Sequence, residues 1–131
     1  MNDDKKIKEI ILDWPAKVLS PNARVHWAVK AKAAKLYRKQ AFLICRNENI
    51  VIPESINKLH VFIDFYPPDK RNRDADNLLS SLKNALDGIA EAIGVNDRRF
   101  ICHPYLKDKI EKGGLVKIRV TFINEVLLSG L

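Results

Sequence analysis

The stretch KLHVFIDFYPPDKRNRDADNLL (residues 58–79) decides how this chain is organised. Residues 58–66 are rich in β-branched and aromatic side chains, which predicts the strongest strand of the protein. Pro67 and Pro68 end this strand, and the backbone is expected to stay non-helical up to residue 73. A helix is predicted from about Asp76 to Ile93, because apolar side chains recur there at spacings of three and four, and Gly94 follows as its C-cap residue.

Shorter elements extend this pattern in both directions. Residues 7–12 predict a first strand, and an apolar stripe at helical spacing predicts a helix over residues 24–47. Residues 100–106 and 115–123 predict two further strands, joined as a hairpin by a long loop that ends in Gly-Gly. The order β-α-β-α-β-β indicates an α/β protein, in which two helices cover a mixed sheet.

Length and composition bound both the fold and the partner. With 131 residues, 47% of them hydrophobic and 30% charged, the chain is long enough for one domain with one core, taken as residues 1–131. Its net charge of +7 favours a polyanionic partner, most simply nucleic acid. The alternative is a basic protein whose charge only keeps it soluble.

The cysteines and the apolar segments predict where the protein is found. Cys45 and Cys102 show neither a disulfide framework nor a zinc-type spacing, so we expect two buried thiols in a reducing compartment. The N-terminus lacks the apolar stretch of a signal peptide, and no apolar run approaches the ~20 residues of a membrane helix. We therefore expect a soluble, cytoplasmic protein with no membrane partner.

Three aspartates are candidate metal ligands. Asp74 and Asp76 stand two residues apart after a run of cations, and Asp97 stands in the turn after the second helix. Carboxylate oxygens are hard ligands that suit Mg²⁺ or Mn²⁺, and such an ion beside a phosphate-binding surface indicates phosphodiester hydrolysis. The alternative is structural, because aspartates commonly cap helix N-termini and form turns.

Further polar candidates lie near these aspartates. Lys83 follows Asp76 by two turns on the same helical face, where it would either reach a phosphate oxygen or be a solvated helix lysine. Asp87 continues this face but lies ~16 Å from Asp76, too far to share a metal. Asp64 is a charge inside the central strand, and we expect it to face the site as a further ligand or acceptor, the alternative being the solvent face of the sheet.

Cations surround the aspartates and cover the first helix. Arg71 and Arg73 precede the acidic pair, Arg98 and Arg99 follow the third aspartate, and all four are expected to orient a phosphate. Residues 24–46 hold seven cations and no acid. Four of these cations form a stripe on one helical face: Lys32, Lys35, Lys39 and Arg46. We expect this basic stripe to follow a phosphate backbone; the alternative is a solvated helix surface.

Taken together, these residues resemble the RusA family of Holliday junction resolvases, including its phage-borne members. The resemblance rests on RDADNLL (residues 73–79), LKNALDG (residues 82–88) and NDRR (residues 96–99). The early WP and SPNAR segments (residues 14–15 and 20–24) also resemble the N-terminal loop of that family, and the order of elements agrees over nearly the whole chain.

The resemblance implies a RusA-like fold and a small, dimeric, Mg²⁺-dependent endonuclease that cuts four-way DNA junctions. The family's catalytic acids correspond to Asp74, Asp76 and Asp97. A functional lysine often follows the second acid by four residues, but Ser80 stands there, and Lys83 one turn later is the residue that would replace it. A homodimer would cut two symmetry-related strands in concert.

Two other functions stay open. One is a nuclease for flaps or forks that cuts a single strand, and the other is a non-catalytic nucleic-acid-binding module whose aspartates only cap helices. The helix between Asp76 and Asp97 also poses a geometric question, because it is ~27 Å long by its rise. Either the chain doubles back after Gly94, or Asp97 reaches the other acids from a second subunit.

Overall fold

This computed structural model describes residues 9–122. They contain three helices and four strands. In chain order they are β1 (Glu9–Asp13), α1 (Trp27–Asn47), β2 (Leu59–Tyr66), α2 (Ala75–Ser81), α3 (Lys83–Ile93), β3 (Phe100–Leu106) and β4 (Leu115–Thr121). Single turns of 3-10 helix, Lys17–Leu19 and Asp97–Arg99, precede α1 and β3. Among these residues, no helix is long and apolar enough to span a bilayer.

The four strands form one mixed sheet in the order β1-β4-β2-β3. β2 runs parallel to β3 and antiparallel to β4, and β1 is antiparallel to β4. The prediction of a mixed sheet is confirmed, and the mostly buried β2 lies inside it. The predicted hairpin of β3 and β4 is wrong, because β2 lies between these two strands.

The crossover from β2 to β3 explains this topology. Two parallel neighbours need a connection of a dozen or more residues, usually helical, and α2 and α3 provide it. β3 then occupies the outer edge beside β2. The loop of residues 107–114 therefore has to pass across β2, about 10 Å in two strand spacings, before β4 pairs on the other side.

The second predicted helix is interrupted, so the fold has three helices instead of two. Leu82 separates α2 from α3, with φ −89° and ψ −8°. It is fully buried, and its N–H still donates to the carbonyl oxygens of Leu78 and Leu79, so the backbone continues with only a local bend. Gly94 ends α3 at φ 73°, which confirms its prediction as the C-cap residue.

Other element ends shift by a few residues. α1 begins at Trp27 instead of Arg24, because Nδ1 of His26 accepts a hydrogen bond from the Ala28 N–H and caps the helix there. β1 ends one residue later than predicted, and residues 7 and 8 lie outside the described residues. β4 ends at Thr121, and residue 123 likewise lies outside them.

The helices cover one face of the sheet and leave the other face outside the core. Alternate residues of β1, β2 and β4 are buried beneath α1 and α3. α1 and α3 pack closely at Gly88, where an added Cβ would collide with the carbonyl oxygen of Arg38. The described residues thus form a single α+β domain with one helical layer.

The two cysteines are free thiols with different surroundings. Cys45 is buried in the core, as predicted, and burial raises its pKa to about 11. Cys102 is only half-buried, on the helical side of β3, where partial burial also raises the pKa of its thiol.

Candidate active site

The loop between β2 and α2 places two of the candidate ligands. Asp74 is the N-cap residue of α2, and its Oδ1 accepts a hydrogen bond of 2.8 Å from the Asp76 N–H. Capping therefore occupies one oxygen of Asp74, as the structural alternative expects. Asp76 is exposed in the first turn, and its carboxylate makes no hydrogen bond or ion pair with another residue of the described range. This leaves it available to a ligand.

Arg73 holds this loop in place. Its guanidinium contacts the Asp69 carboxylate at 2.8 Å, donates to the Asp69 and Arg71 carbonyl oxygens at 3.0 and 3.2 Å, and lies 5.3 Å from the centre of the Trp14 ring. The hydrogen bond from the Arg71 N–H lowers the pKa of Asp69, and Arg73 lowers it further. The Arg73 side chain is 17% exposed and that of Arg71 is 74% exposed, so Arg71 is the more accessible to a phosphate.

One face of α2 and α3 carries the remaining candidates, and we call Asp76, Ser80, Lys83 and Asp87 the acidic helix face. They follow one another at spacings of four, three and four, which is the period of a single helical face. Oγ of Ser80 donates to the Asp76 carbonyl oxygen at 3.1 Å. Ser80 and Lys83 also line a cavity of about 290 Å³ together with Asp87 and Asp97. The lysine therefore lies between the two acidic ends.

Asp97 approaches Asp87 instead of Asp76. The chain turns back after Gly94, and the 3-10 turn places the Asp97 carboxylate within hydrogen-bonding reach of Asp87. Burial raises the pKa of Asp87, and the hydrogen bond and negative charge of Asp97 raise it further. Two carboxylates this close repel each other unless a proton or a cation lies between them.

A hard divalent cation suits these donors, but a single chain brings too few of them together. Asp74 and Asp76 stand at one end of the acidic helix face and Asp87 and Asp97 at the other, about 16 Å apart by helical rise. Within residues 9–122, no group of three His, Cys, Asp or Glu side chains is placed to hold a metal ion. Each end therefore offers two carboxylates and requires ligands from elsewhere.

Asp64 does not join the acidic helix face. Its neighbours Ile63 and Phe65 are buried in the core, so Asp64 points to the sheet face away from the helices. There its carboxylate lies 3.4 Å from a guanidinium nitrogen of Arg119 and 3.6 Å from Nζ of Lys107. The expectation that Asp64 faces the site is wrong, because the alternation along β2 directs it to the opposite side.

The two arginines after Asp97 differ in accessibility. Arg98 is exposed, whereas Arg99 is half-buried and its Nη1 donates to the Ile56 carbonyl oxygen at 3.5 Å. The acidic end at Asp97 therefore has Arg98 as its more accessible partner for a phosphate.

The basic stripe lies on the outer side of α1. Lys32, Lys35, Lys39 and Arg46 are exposed, while the core side of the helix buries Tyr37, Ala41 and Cys45. Two other cations of this helix make contacts within the fold, since Lys30 donates to the Ser20 carbonyl oxygen and Arg38 pairs with Glu91 at 2.9 Å. The basic stripe is therefore the part of α1 where cationic side chains are exposed to solvent.

Asp87 is the candidate that helical spacing alone misses. Spacing excludes it from a metal shared with Asp76 in one chain, because the two lie ~16 Å apart. Its contact with Asp97 depends on the path of the chain after Gly94, which spacing does not encode. The available signal is that Asp87 shares a helical face with Lys83 and stands two turns before Gly94, where the chain reverses.

Comparison with known proteins gives a relative without a described activity. No family model matches the chain. A protein of Xylella fastidiosa (strain Temecula1 / ATCC 700964), named "Uncharacterized protein", is 40% identical over 129 residues, which cover 96% of this chain and 84% of the relative. The relative's name states no function.

Proposed function

We propose that this chain, which belongs to the same family as the Xylella fastidiosa protein, is a metal-dependent endodeoxyribonuclease that hydrolyses branched DNA, above all four-way junctions. Mg²⁺ is the expected ion, and Mn²⁺ is expected to replace it. The resemblance of the acidic segments to the RusA family supports this choice of substrate. The net charge of +7 supports a polyanionic one.

The observation that carries the proposal is a pair of acidic ends on one helix face, with Lys83 between them. If two copies pack antiparallel about a two-fold axis at the middle of this face, Asp74 and Asp76 of one copy lie beside Asp87 and Asp97 of the other. Each of two symmetric sites then has four carboxylates. Such a concentration of negative charge requires a bound cation.

An exposed tryptophan beside the acidic helix face supports this pairing. Trp27 is 75% exposed and, with Ser80 and Lys83, lines a groove of about 500 Å³ between α1 and the α2–α3 junction. Val25 and Val29 on either side of it are also exposed, at 41% and 51%. Large exposed apolar side chains of this kind are typical centres of protein interfaces.

The proposed chemistry is attack of water on a backbone phosphate. A bound divalent ion supplies charge that acidifies water and stabilises the charge on the phosphate. Arg71 and Arg98 would hold non-bridging phosphate oxygens, and an aspartate would take a proton from the attacking water. The water oxygen bonds to phosphorus as the bond to the sugar oxygen breaks, and Lys83 would supply the proton that the leaving oxygen needs.

Duplex arms would lie along the basic stripe of α1. Lys32, Lys35 and Lys39 carry no acidic partner among residues 9–122, so their charge is available to phosphates. This contact reads no bases, which suits an enzyme that selects DNA by its branched shape.

The decisive experiment measures cleavage of a mobile synthetic four-way junction with and without Mg²⁺, beside linear duplex and flap controls. Paired symmetric nicks that depend on metal are expected. Asp76→Asn should abolish them and leave junction binding intact or tighter, whereas Asp108→Asn, at an exposed acid of the loop before β4, should cut normally. Normal cleavage by Asp76→Asn would rule out this metal site. If the wild-type protein cut only the flap control, flaps would be the substrate instead of four-way junctions.

The hydrogen bond from the Asp76 N–H to Asp74 favours a second candidate, a binding module without catalysis. In that case the acids only order the start of α2. Junction binding without any nicking in Mg²⁺ or Mn²⁺ would establish it. Asp74→Ala should then lower the thermal stability, and Asp74→Ser, which supplies another capping side chain, should retain it.

A further inference from the structure

The sheet face turned away from the three helices carries aromatic and cationic side chains. Phe62 and Tyr66 of β2, Tyr105 of β3, and Lys117 and Arg119 of β4 lie on it, because their strand neighbours point into the core. We call this surface the open sheet face. It is separate from the acidic helix face and from the basic stripe of α1, which belong to the helical layer.

One row across the open sheet face is a continuous stack. Arg119 and His103 are the register neighbours of Phe62 on either side. The Arg119 guanidinium lies 5.5 Å from the centre of the Phe62 ring, and the His103 ring stacks on Phe62 with centroids 4.6 Å apart. His60 adjoins this row edge to edge, since its Nδ1 lies 2.9 Å from Nε2 of His103 and the two imidazoles are inclined by only 18°. Because Phe62 and His103 stand face to face, this row forms an aromatic ridge that ends at β3, the edge strand.

Beyond this row, two cations lie over tyrosine rings. Lys117 Nζ lies 5.1 Å from the centre of the Tyr66 ring, and Lys107 Nζ lies 5.8 Å from that of Tyr105. Tyr105 is 48% exposed at the outer edge of the sheet. A ligand lying across this face would therefore meet ring surfaces and positive charge together.

Asp64 is the acid beneath this surface and pairs with two of its cations. It is 7% exposed and contacts both Arg119 and Lys107, so it fixes the two cations in place and contributes little negative surface. Its Oδ1 and Nε of Arg119 are buried without a hydrogen-bond partner among the described residues. Glu9 of β1 is the register neighbour of Arg119, so this face carries Lys107, Lys117 and Arg119 against Asp64 and Glu9 and keeps a positive excess.

A polyanion that also exposes planar groups is the ligand that matches these features. Single-stranded DNA has both, because its phosphates suit the cations and its unpaired bases stack on aromatic side chains. A duplex keeps its bases inside the helix and offers no base to the aromatic ridge or to the exposed Tyr105 ring. We infer that the open sheet face binds unpaired nucleotides of single-stranded DNA, as a site separate from the proposed nuclease centre.

The test compares two fluorescein-labelled strands of equal length and charge, one of roughly 12 thymidines and one with abasic sugars, by fluorescence anisotropy. The wild-type protein is expected to bind the thymidine strand roughly tenfold tighter or more, because each stacked base adds affinity that the abasic strand lacks. Tyr105→Ala and Phe62→Leu, which keeps apolar volume without the ring, should remove this preference. Lys117→Ala should weaken binding of both strands.

Controls separate this site from the others. Lys112→Ala, at an exposed lysine of the loop before β4, should bind like the wild type, and Asp76→Asn should keep its affinity for the thymidine strand. Equal wild-type affinity for the two strands, or full affinity in Tyr105→Ala and Phe62→Leu, would overturn the inference. If these variants instead change only the sedimentation of the free protein, the open sheet face is a contact between copies of the chain.

Discussion

Asp87 and Asp97 hold their carboxylates within hydrogen-bonding reach of each other, although a reversal of the chain at Gly94 separates them. The pKa of Asp87 is raised by burial and then by its acidic neighbour. Placing like charges together costs stability in the free protein and is typical of sites that bind a cation or share a proton. The reversal of the chain after α3 therefore positions one of the carboxylates of the proposed metal site.

Asp87→Asn is expected to stabilise the metal-free protein and to impair the metal-loaded one. Removal of one charge relieves the repulsion with Asp97, and the melting temperature in a chelating buffer should rise by roughly 2 °C. Mn²⁺ binding, followed by electron paramagnetic resonance, should weaken at the same time. Asp108→Asn, which removes an exposed acid elsewhere, should change neither quantity. Unchanged Mn²⁺ affinity in Asp87→Asn would remove Asp87 from the site.

Gly88→Ala is expected to destabilise the fold, because its Cβ would collide with the Arg38 carbonyl oxygen and force α1 away from α3. Overpacking of this kind costs about 1–3 kcal/mol in the free energy of unfolding, measured by urea denaturation. Gly94→Ala is the comparison, since the added Cβ meets no atom within 4 Å there and only the positive φ of 73° opposes it. A Gly88→Ala variant as stable as the wild type would contradict the close packing of the two helices.

The contact between Asp69 and Arg73 is expected to open in acid. The hydrogen bond from the Arg71 N–H, with help from Arg73, holds the pKa of Asp69 below its ordinary value of 3.8. A lowered pKa in the folded state means that the ionised contact stabilises the loop at neutral pH and is lost as the pH falls through that pKa.

Trp14 reports this change, because Arg73 lies over its ring. In a Trp27→Phe background, the emission of Trp14 should stay constant from pH 8 to about pH 5 and shift below about pH 4, near the ordinary aspartate value. Asp69→Asn should show the acid-type emission already at pH 7. Identical emission of the two proteins at pH 7 would argue against the contact in solution.

Loss of charge from the basic stripe is expected to weaken duplex binding in proportion to the number of cations removed. Lys35→Gln and Lys39→Gln should each reduce the slope of log affinity against log salt by about 0.9, because one phosphate contact releases about one counterion. Lys112→Gln removes the same charge from the loop before β4 and should leave the slope unchanged. Equal slopes in all three variants would place the duplex elsewhere on the protein.

Trp27→Ala is expected to convert a dimer into a monomer, because its exposed side chain would be buried between two copies. Sedimentation velocity over a range of protein concentrations measures this directly. Val51→Ala truncates another exposed apolar side chain, far from the groove in sequence and 82% exposed, and should sediment like the wild type. A wild-type protein that stays monomeric at the concentrations used for cleavage would exclude the proposed two-fold site.

The sequence alone determined the positions of several helices and strands through interactions between neighbouring residues. The β-branched and aromatic content of residues 59–66 specified a strand, Pro67 and Pro68 ended it, and Gly94 supplied the positive φ that ends α3. Helical spacing likewise placed Lys83 and Asp87 on the face of Asp76. These features depend on neighbours within a few residues, which a single sequence displays.

Only the tertiary structure decided the relations between distant segments. It placed β2 between β3 and β4, so that the expected hairpin does not form, and it turned Asp64 away from the helices. It also brought Asp97 to Asp87 and left Asp76 at the other end of the face. The reason is physical: propensity and periodicity act over a turn or a strand pair, whereas the approach of distant carboxylates depends on how the whole chain packs its apolar faces.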